Sequence, residues 1–336
     1  MNPPFEMDNR SKRSVVLDLS SEPDRQVAFD LLSGADVFLT NARPGALQRL
    51  GLDFESAPAA SPRLVYGLIT GYGESGPDAD RAAFDVAAFW SRAGVAHLLT
   101  RSGDTPPFQR SGMGDHSAGM TMAAAVCAAL LARERTGAGQ LVITSLYRQG
   151  AYTVSFDLNT YLMGGQPIAI GQRESMGNPC MNNYAASDGR QFWIVGLEPE
   201  RHWPALCRAV GRPEWRDDPR FADARARAAN SVALIAALDE IFATRPLDEW
   251  AQIFAGEPDF FWLPVNSLED VVADEQFHAA GGIVYVPDGA DDQAAVPMVA
   301  TPADFHGTPW APRSAAPELG QHTAEVLAEL KARRSS

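Results

Sequence analysis

Within its first 145 residues the sequence alternates short apolar runs rich in β-branched residues, turns, and stretches with helical spacing, with no internal sequence repeat. Ser14–Leu19 stops at Ser20-Ser21-Glu22-Pro23, and residues Arg25 to Leu32 have helical spacing. Ala35–Thr40 stops at Asn41-Ala42-Arg43-Pro44-Gly45, Ala46–Leu50 opens another helix, and Arg63–Thr70 runs into Gly71-Tyr72-Gly73. Gln140–Ser145 is a further short apolar run. Strands separated by helices must be joined by crossovers, so the pattern predicts a parallel α/β sheet rather than hairpins. In such sheets ligands bind beyond the carboxyl ends of the strands, which places the loops at Ser20, Asn41 and Gly71 on one rim. Asn41, Arg43 and Arg49 are the useful polar groups there. An arginine beside a helix start and a glycine-bearing turn serves either as a phosphate or nucleotide contact or as a solvated surface charge, and both readings stay open.

A second feature falls between these strands. Phe84–Leu99 reads as a helix, Asp104-Thr105-Pro106-Pro107 as a loop, and then comes Gly112-Met113-Gly114-Asp115-His116-Ser117-Ala118-Gly119, followed by an alanine-rich run to Arg135. Glycines around one carboxylate allow other groups to approach it closely. Asp115 therefore has two readings. As a helix N-cap it satisfies the orphan N–H groups of the first turn. As a carboxylate held ionised by the helix dipole, it is a nucleophile for covalent catalysis. His116 titrates near neutral pH, but a histidine at a helix start is often only a packed or solvated ring. The helix Met120–Ala132 is apolar on most sides, which predicts burial, with Met120 and Met122 as core filler.

From about Arg173 the texture changes to Asn and Pro, with Asp188-Gly189 as a tight turn before Gln191–Gly196. His202–Val210, Ser231–Thr244 and Leu247–Phe254 read as helices packed through Trp203, Trp215 and Trp250. Pro264-Val265-Asn266 and Gly281–Val286 return through extended structure, and Thr323–Arg333 reads as a terminal amphipathic helix. The expected organisation is a Rossmann-like large domain over 1–172, a smaller α+β domain over 173–290, and a segment, 291–336, that returns to the large domain. The formal charge of −14 argues against a bulk grip on nucleic acid or an anionic membrane. No apolar run reads as a membrane span, and no targeting segment is evident, so the expectation is a soluble, cytoplasmic protein. The three cysteines, Cys127, Cys180 and Cys207, are odd in number and widely spaced, which predicts reduced thiols and no metal cluster.

Several motifs occurring in order give this chain a resemblance to the family III CoA-transferases, the CaiB/BaiF family. They are Asn9-Arg10-Ser11-Lys12-Arg13-Ser14 with Leu17-Asp18-Leu19, Asn41-Ala42-Arg43-Pro44-Gly45 with Leu47, Arg49 and Gly51, Gly114-Asp115, and Arg135-Thr136-Gly137 with Gly139-Gln140. Asp217-Asp218-Pro219-Arg220-Phe221, Pro264-Val265-Asn266 and Leu319-Gly320-Gln321-His322-Thr323 extend it through the C-terminal half. The resemblance implies that Asp115 attacks an acyl-CoA thioester to give an aspartyl anhydride, which free CoA converts to an aspartyl-CoA thioester for a carboxylic acid to resolve. It implies that Leu17, Asp18, Leu19, Ser20, Asn41, Ala42, Arg43, Arg49, Arg81, Ala82, Ala83 and Phe84 line the CoA site. It further implies an interlocked homodimer, with no tightly bound cofactor and with CoA as a substrate.

Two departures from the family pattern stand out. The chain starts just before the Asn-Arg-x-Lys-Arg-Ser motif, where family members have a further strand and a CoA-contacting arginine, so it resembles a member lacking that N-terminal segment. The stretch Gly165–Tyr184 lacks the run of consecutive glycines found in formyl-CoA transferase. Two other functions compete. One is a 2-methylacyl-CoA racemase or epimerase, in which a histidine works with the aspartate; Phe84-Asp85 stands in that histidine's place here, so two-base proton transfer loses a partner. The other is a truncated, non-catalytic CoA-binding subunit.

Overall fold

In the computed structural model, which describes residues 2–57, 61–166, 171–287 and 295–335, the chain divides into two compact units, Met1–Ile168 with Gly281–Ser336, and Ala169–Ala280. The anticipated break at 290 and part of the stretch Gly165–Tyr184 lie outside the described residues.

The first unit runs α1 (Pro3–Asn9), α2 (Glu22–Ser33), β1 (Val37–Thr40), α3 (Pro44–Leu50), β2 (Val65–Thr70), α4 (Val95–Leu98), α5 (Met113–Thr136), β3 (Leu141–Ser145), α6 (Leu146–Thr153) and α7 (Ser155–Gly164). The three strands form one parallel sheet, ordered β1-β2-β3, with Val37 opposite Val65 and Tyr66 opposite Leu141. This is the expected α/β architecture, and its strand ends fall within two residues of the sequence reading. Central β2 is buried along almost its whole length, as a strand covered on both faces must be. Leu32, Leu47, Leu52, Leu64, Tyr66 and Leu68 make its core. Tyr66 donates its hydroxyl to the carbonyl of Leu52 at 2.7 Å.

The run Ser14–Leu19 is not a strand. No described strand pairs with it, and Ser14 and Val16 bond instead to the C-terminal segment. Ser14 N–H donates to His322 Nδ1 (3.2 Å), the N–H of His322 donates to the Ser14 carbonyl (3.0 Å), and Val16 N–H donates to Thr323 Oγ1 (3.1 Å). The helix read over Phe84–Leu99 is also two pieces. A π-helical segment, Val86–Arg92, is cut from α4 by Gly94 at φ 89°.

The expectation that the alanine-rich helix is buried fails. Only Gly114, Ala118, Met122, Ala129 and Arg133 of α5 are buried; Met120 and Leu131 are exposed, so Met122 is core and Met120 is not. Alanine is apolar but too small to mark an inward face, so the periodicity carried no direction. The reading that no run reaches membrane-spanning length needs correcting too: by length and composition α5 is long and apolar enough. Its inner face is packed by the protein itself. Near its C-terminal end Arg133 donates to the carbonyls of Asp36 and Arg63 and pairs with the Asp36 carboxylate at 3.0 Å. A two-stranded antiparallel ribbon, Ile283–Val286 with Val296–Val299, and the terminal helix Thr323–Ser335 complete this unit.

The second unit is an antiparallel three-stranded sheet with helices. Met181–Ala185 and Gln191–Val195 form a hairpin around Asp188-Gly189, and Trp262–Pro264 adds the third strand. Its core is aromatic: Phe192 and Phe242 lie 5.0 Å apart, edge to face, and Trp203 and Trp250 are buried with them. Arg227, fully buried, pairs with Glu200 at 2.8 Å and stacks over Trp203. A buried guanidinium needs such partners, because leaving it unpaired would cost several kcal/mol.

Candidate active site

The carboxyl ends of β1 and β2 and the start of α5 surround a cavity of about 490 Å³. Parallel crossovers bring these chain ends to one rim, the place a doubly wound sheet leaves open. Asn41, Ala42 and Arg43 follow β1; Thr70 and Gly71 end β2; Arg81, Ala83, Phe84 and Asp85 come from the next loop. Asp115 and Ala118 come from the first turns of α5, and Leu146 from α6. Of the residues expected around the CoA site, the cavity thus gathers Asn41, Ala42, Arg43, Arg81, Ala83 and Phe84 with Asp115. It does not gather Leu17, Asp18, Leu19, Ser20, Arg49 or Ala82. Asp18 is used locally, accepting from Ser20 N–H and Oγ at 3.0 and 2.6 Å, and Leu19 packs on the core beneath β2. Arg49 sits in the last turn of α3 and is exposed.

Asp115 is not a helix cap. The cap position is Gly112, whose φ of 81° suits glycine, and Asp115 is the third residue of the helix. The capping oxygens come from 29 positions upstream: Gly114 N–H donates to both carboxylate oxygens of Asp85, at 3.2 and 3.1 Å, and Gln109 Nε2 donates to the same carboxylate at 2.7 Å. The carboxylate that satisfies the helix start is therefore Asp85, and Asp115 is released from that duty. Gly114 makes this approach possible, since a Cβ there would lie 2.2 Å from Asp85 Oδ1 and 2.4 Å from Phe89 Cγ. Sequence reasoning noted Asp85 only within Phe84-Asp85, the pair standing in the racemase histidine's place, and gave it no part in the helix start.

Among the described residues nothing hydrogen-bonds the Asp115 carboxylate. Partial burial, then the like charge of Asp85, raise its pKa above the ordinary 3.8; Asp8 adds to the rise and His116 opposes it. Burial and the neighbouring carboxylates thus make the charge costlier, in opposition to the helix dipole, and a costlier carboxylate is a more basic one. His116 is engaged elsewhere, its Nε2 lying 3.3 Å from Asp8.

The two cations of the cavity are held differently. Arg81 lies 3.5 Å from Asp78 and over the Tyr72 ring. Asp78 also holds Arg92 at 2.5 Å, and Arg92 stacks on Tyr72 and Tyr147 at 4.7 and 5.3 Å, which braces the loop that carries Arg81. Arg43 makes no ion pair among the described residues and sits at the N-terminus of α3, where anions are favoured. No group of three or more His, Cys, Asp or Glu side chains among the described residues is arranged to hold a metal ion.

The profile of CoA-transferase family III matches residues 1–323. The chain is 31% identical over 330 residues to the (R)-2-hydroxy-4-methylpentanoate CoA-transferase of Clostridioides difficile, covering 98% of this chain and 81% of that one. It is 31% identical over 338 residues to the cinnamoyl-CoA:phenyllactate CoA-transferase of Clostridium sporogenes, covering 98% and 80%. Its fold superposes on the crystal structure of a CaiB/BaiF family protein from Brucella suis with a TM-score of 0.84 at 31% identity, over 97% of this chain and 83% of that one. With the sheet, the rim and the freed carboxylate in place, these likenesses identify the chain as a member of the family III CoA-transferases.

Proposed function

We propose that this protein moves CoA between an acyl-CoA and a carboxylic acid by covalent catalysis at Asp115. The Asp115 carboxylate attacks the thioester carbonyl, expelling CoA thiolate and leaving an acyl-aspartyl anhydride. The thiolate attacks the aspartyl carbonyl, releasing the donor acid and forming an Asp115–CoA thioester. The acceptor carboxylate attacks that thioester to give a second anhydride and free thiolate again. The thiolate then attacks the acceptor's acyl carbon, which yields the new acyl-CoA and regenerates Asp115. Two acids never have to exchange a thioester directly, a step with no easy route.

The observation that carries this reading is the Asp115 carboxylate, without a hydrogen-bond partner among the described residues, in a cavity that also holds Arg43 and Arg81. The arginines would take the anionic end of CoA, with Asn41 and Ala42 beside them. Arg49, Ala82 and the segment Leu17–Ser20 would serve the outer, nucleotide end of CoA. Asp85, occupied by Gly114 and Gln109, is poorly placed to act as a second proton-transfer base, which weighs against the racemase alternative. The test is intact-protein mass spectrometry after incubation with an acyl-CoA: an acyl or CoA adduct that maps to Asp115 and vanishes in Asp115→Asn supports the reading, and turnover without such an adduct refutes it.

We further propose that the protein works as a homodimer, interlocked as the family resemblance implies, in the cytoplasm. The outer face of α7 supports association: Phe156, Leu162 and Met163 are 80, 69 and 90% exposed, more apolar surface than a lone helix usually leaves to water. The three free cysteines suit a reducing compartment. Sedimentation equilibrium checks the dimer, and a stable folded monomer at micromolar concentration would remove it.

A further inference from the structure

The geometry points to an uncharged, apolar acyl chain as the group that this site transfers, with acids bearing a second carboxylate excluded. The inference rests on the transfer reading above and concerns what surrounds the reacting carbon. Asp115 shares its cavity with Ala83, Phe84, Ala118 and Leu146. Ala118 and Leu146 belong to one buried apolar cluster with Phe89 and Trp90, and Ala83 packs against it. A substrate's side chain that enters here meets methyl groups and an exposed phenyl ring, Phe84 being 77% exposed.

The charges nearby have the wrong sign for a dicarboxylate. Asp85 is fixed beside the start of α5, and Asp8 sits next to His116. Both act on Asp115 as like charges, so they would act in the same sense on any further anion held beside it. His116 offers little compensation, since its imidazole is already directed at Asp8. Among the described residues the cations lining the cavity are Arg43 and Arg81. In the transfer reading both belong to the anionic end of CoA, which is bound when the acceptor acid attacks. A carboxylate at the far end of the acceptor would then lie near two aspartates with no cation left to pair with among the described lining residues, whereas a branched or aromatic side chain could bury area against Phe84, Ala118 and Leu146. Discrimination of this kind works chiefly by rejection: like charges and unpaired polar groups exclude the wrong substrate more strongly than good contacts select the right one.

The experiment uses the full chain with butyryl-CoA as donor and four acceptors: isovalerate, 3-phenylpropionate, oxalate and succinate. The expected result is a kcat/KM for the two uncharged side chains about 100-fold or more above that for the two dicarboxylates. Equal or better use of oxalate or succinate overturns the inference. The Asp115 adduct is measured in the same samples. Its presence together with a preference for dicarboxylates sinks only the substrate class, while its absence with every donor sinks the transfer reading and this inference with it. Phe84→Lys supplies the missing cation at an exposed position that should tolerate it. The ratio of succinate to isovalerate use should rise about 10-fold or more in that variant, and an unchanged ratio would show that the charge pattern is not what selects.

Discussion

Gly114→Ala tests whether the packing of Asp85 and Phe89 on the start of α5 is what positions Asp115, the nucleophile of the proposed transfer. A Cβ at this residue would sit 2.2 Å from Asp85 Oδ1 and 2.4 and 2.6 Å from Phe89 Cγ and Cβ. Phe89 is 3% exposed and enclosed by its cluster, so the ring cannot simply move aside. Overpacking of this kind costs about 1–3 kcal/mol. Pushing Asp85 away also removes the cap of α5, worth about 1 kcal/mol. Replacing glycine by alanine in a helix returns about 1 kcal/mol, which leaves a net loss of about 1–3 kcal/mol. Gly119, five residues along the same helix, has nothing within 4 Å of its would-be Cβ. Gly119→Ala should therefore keep only the propensity gain and stabilise by about 1 kcal/mol. Guanidinium unfolding followed by circular dichroism measures both, and the two variants should differ by about 2–4 kcal/mol. Transfer activity should fall about 100-fold in Gly114→Ala, because Asp115 is the next residue and a displacement near 1 Å suffices. Equal stabilities for the two variants would refute the account of Gly114 and of the distant cap.

Asp115→Asn should abolish adduct formation and lower turnover by several orders of magnitude, and Asp115→Ala should be no less stable for want of a cap, since Asp115 caps nothing. The raised pKa of Asp115 means that the folded protein holds this proton more tightly than the unfolded chain. Wild-type stability therefore drops relative to Asp115→Asn as pH rises from below the ordinary 3.8 through the raised value, and the two converge in acid; a gap that opened in acid instead would contradict the assigned sign. Tyr66→Phe should cost about 1–2 kcal/mol in denaturant unfolding, because it strands the buried Leu52 carbonyl; a neutral result would mean that water replaces the hydroxyl. Burial pushes the Cys180 and Cys207 thiols up to about 12, so titration of the native protein with a thiol reagent at pH 8 should find at most one reactive group, Cys127; rapid reaction of two would show that the second unit opens.

Local patterns located the parallel strands because β-branched runs bounded by turn residues carry their own signal; the ends of β1, β2 and β3 follow from Val37, Val65 and Leu141 without help from tertiary structure. The failures share one cause, which is that the deciding partner lies far away in the chain. Ser14–Leu19 has strand composition, yet a ladder needs a neighbour, and its partners are His322 and Thr323. The alanine-rich run fixed the existence of α5 but not its orientation, because direction comes from Met122 and Arg133 meeting the sheet. At the site, the same limitation left the helix-cap reading of Asp115 standing, which the structure removes. A capping motif is recognised within four residues, so Asp115 was the only carboxylate that a local reading could offer to the helix start. Asp85 reaches that start only because Gly114 has no side chain and Phe89 packs beneath it, a three-body arrangement with no fixed spacing. In the proposed transfer, that arrangement separates two jobs that one aspartate could not do well together. A carboxylate that accepts backbone N–H bonds is stabilised as an anion and is a poor nucleophile, whereas one left unbonded beside another negative charge is basic and ready to attack.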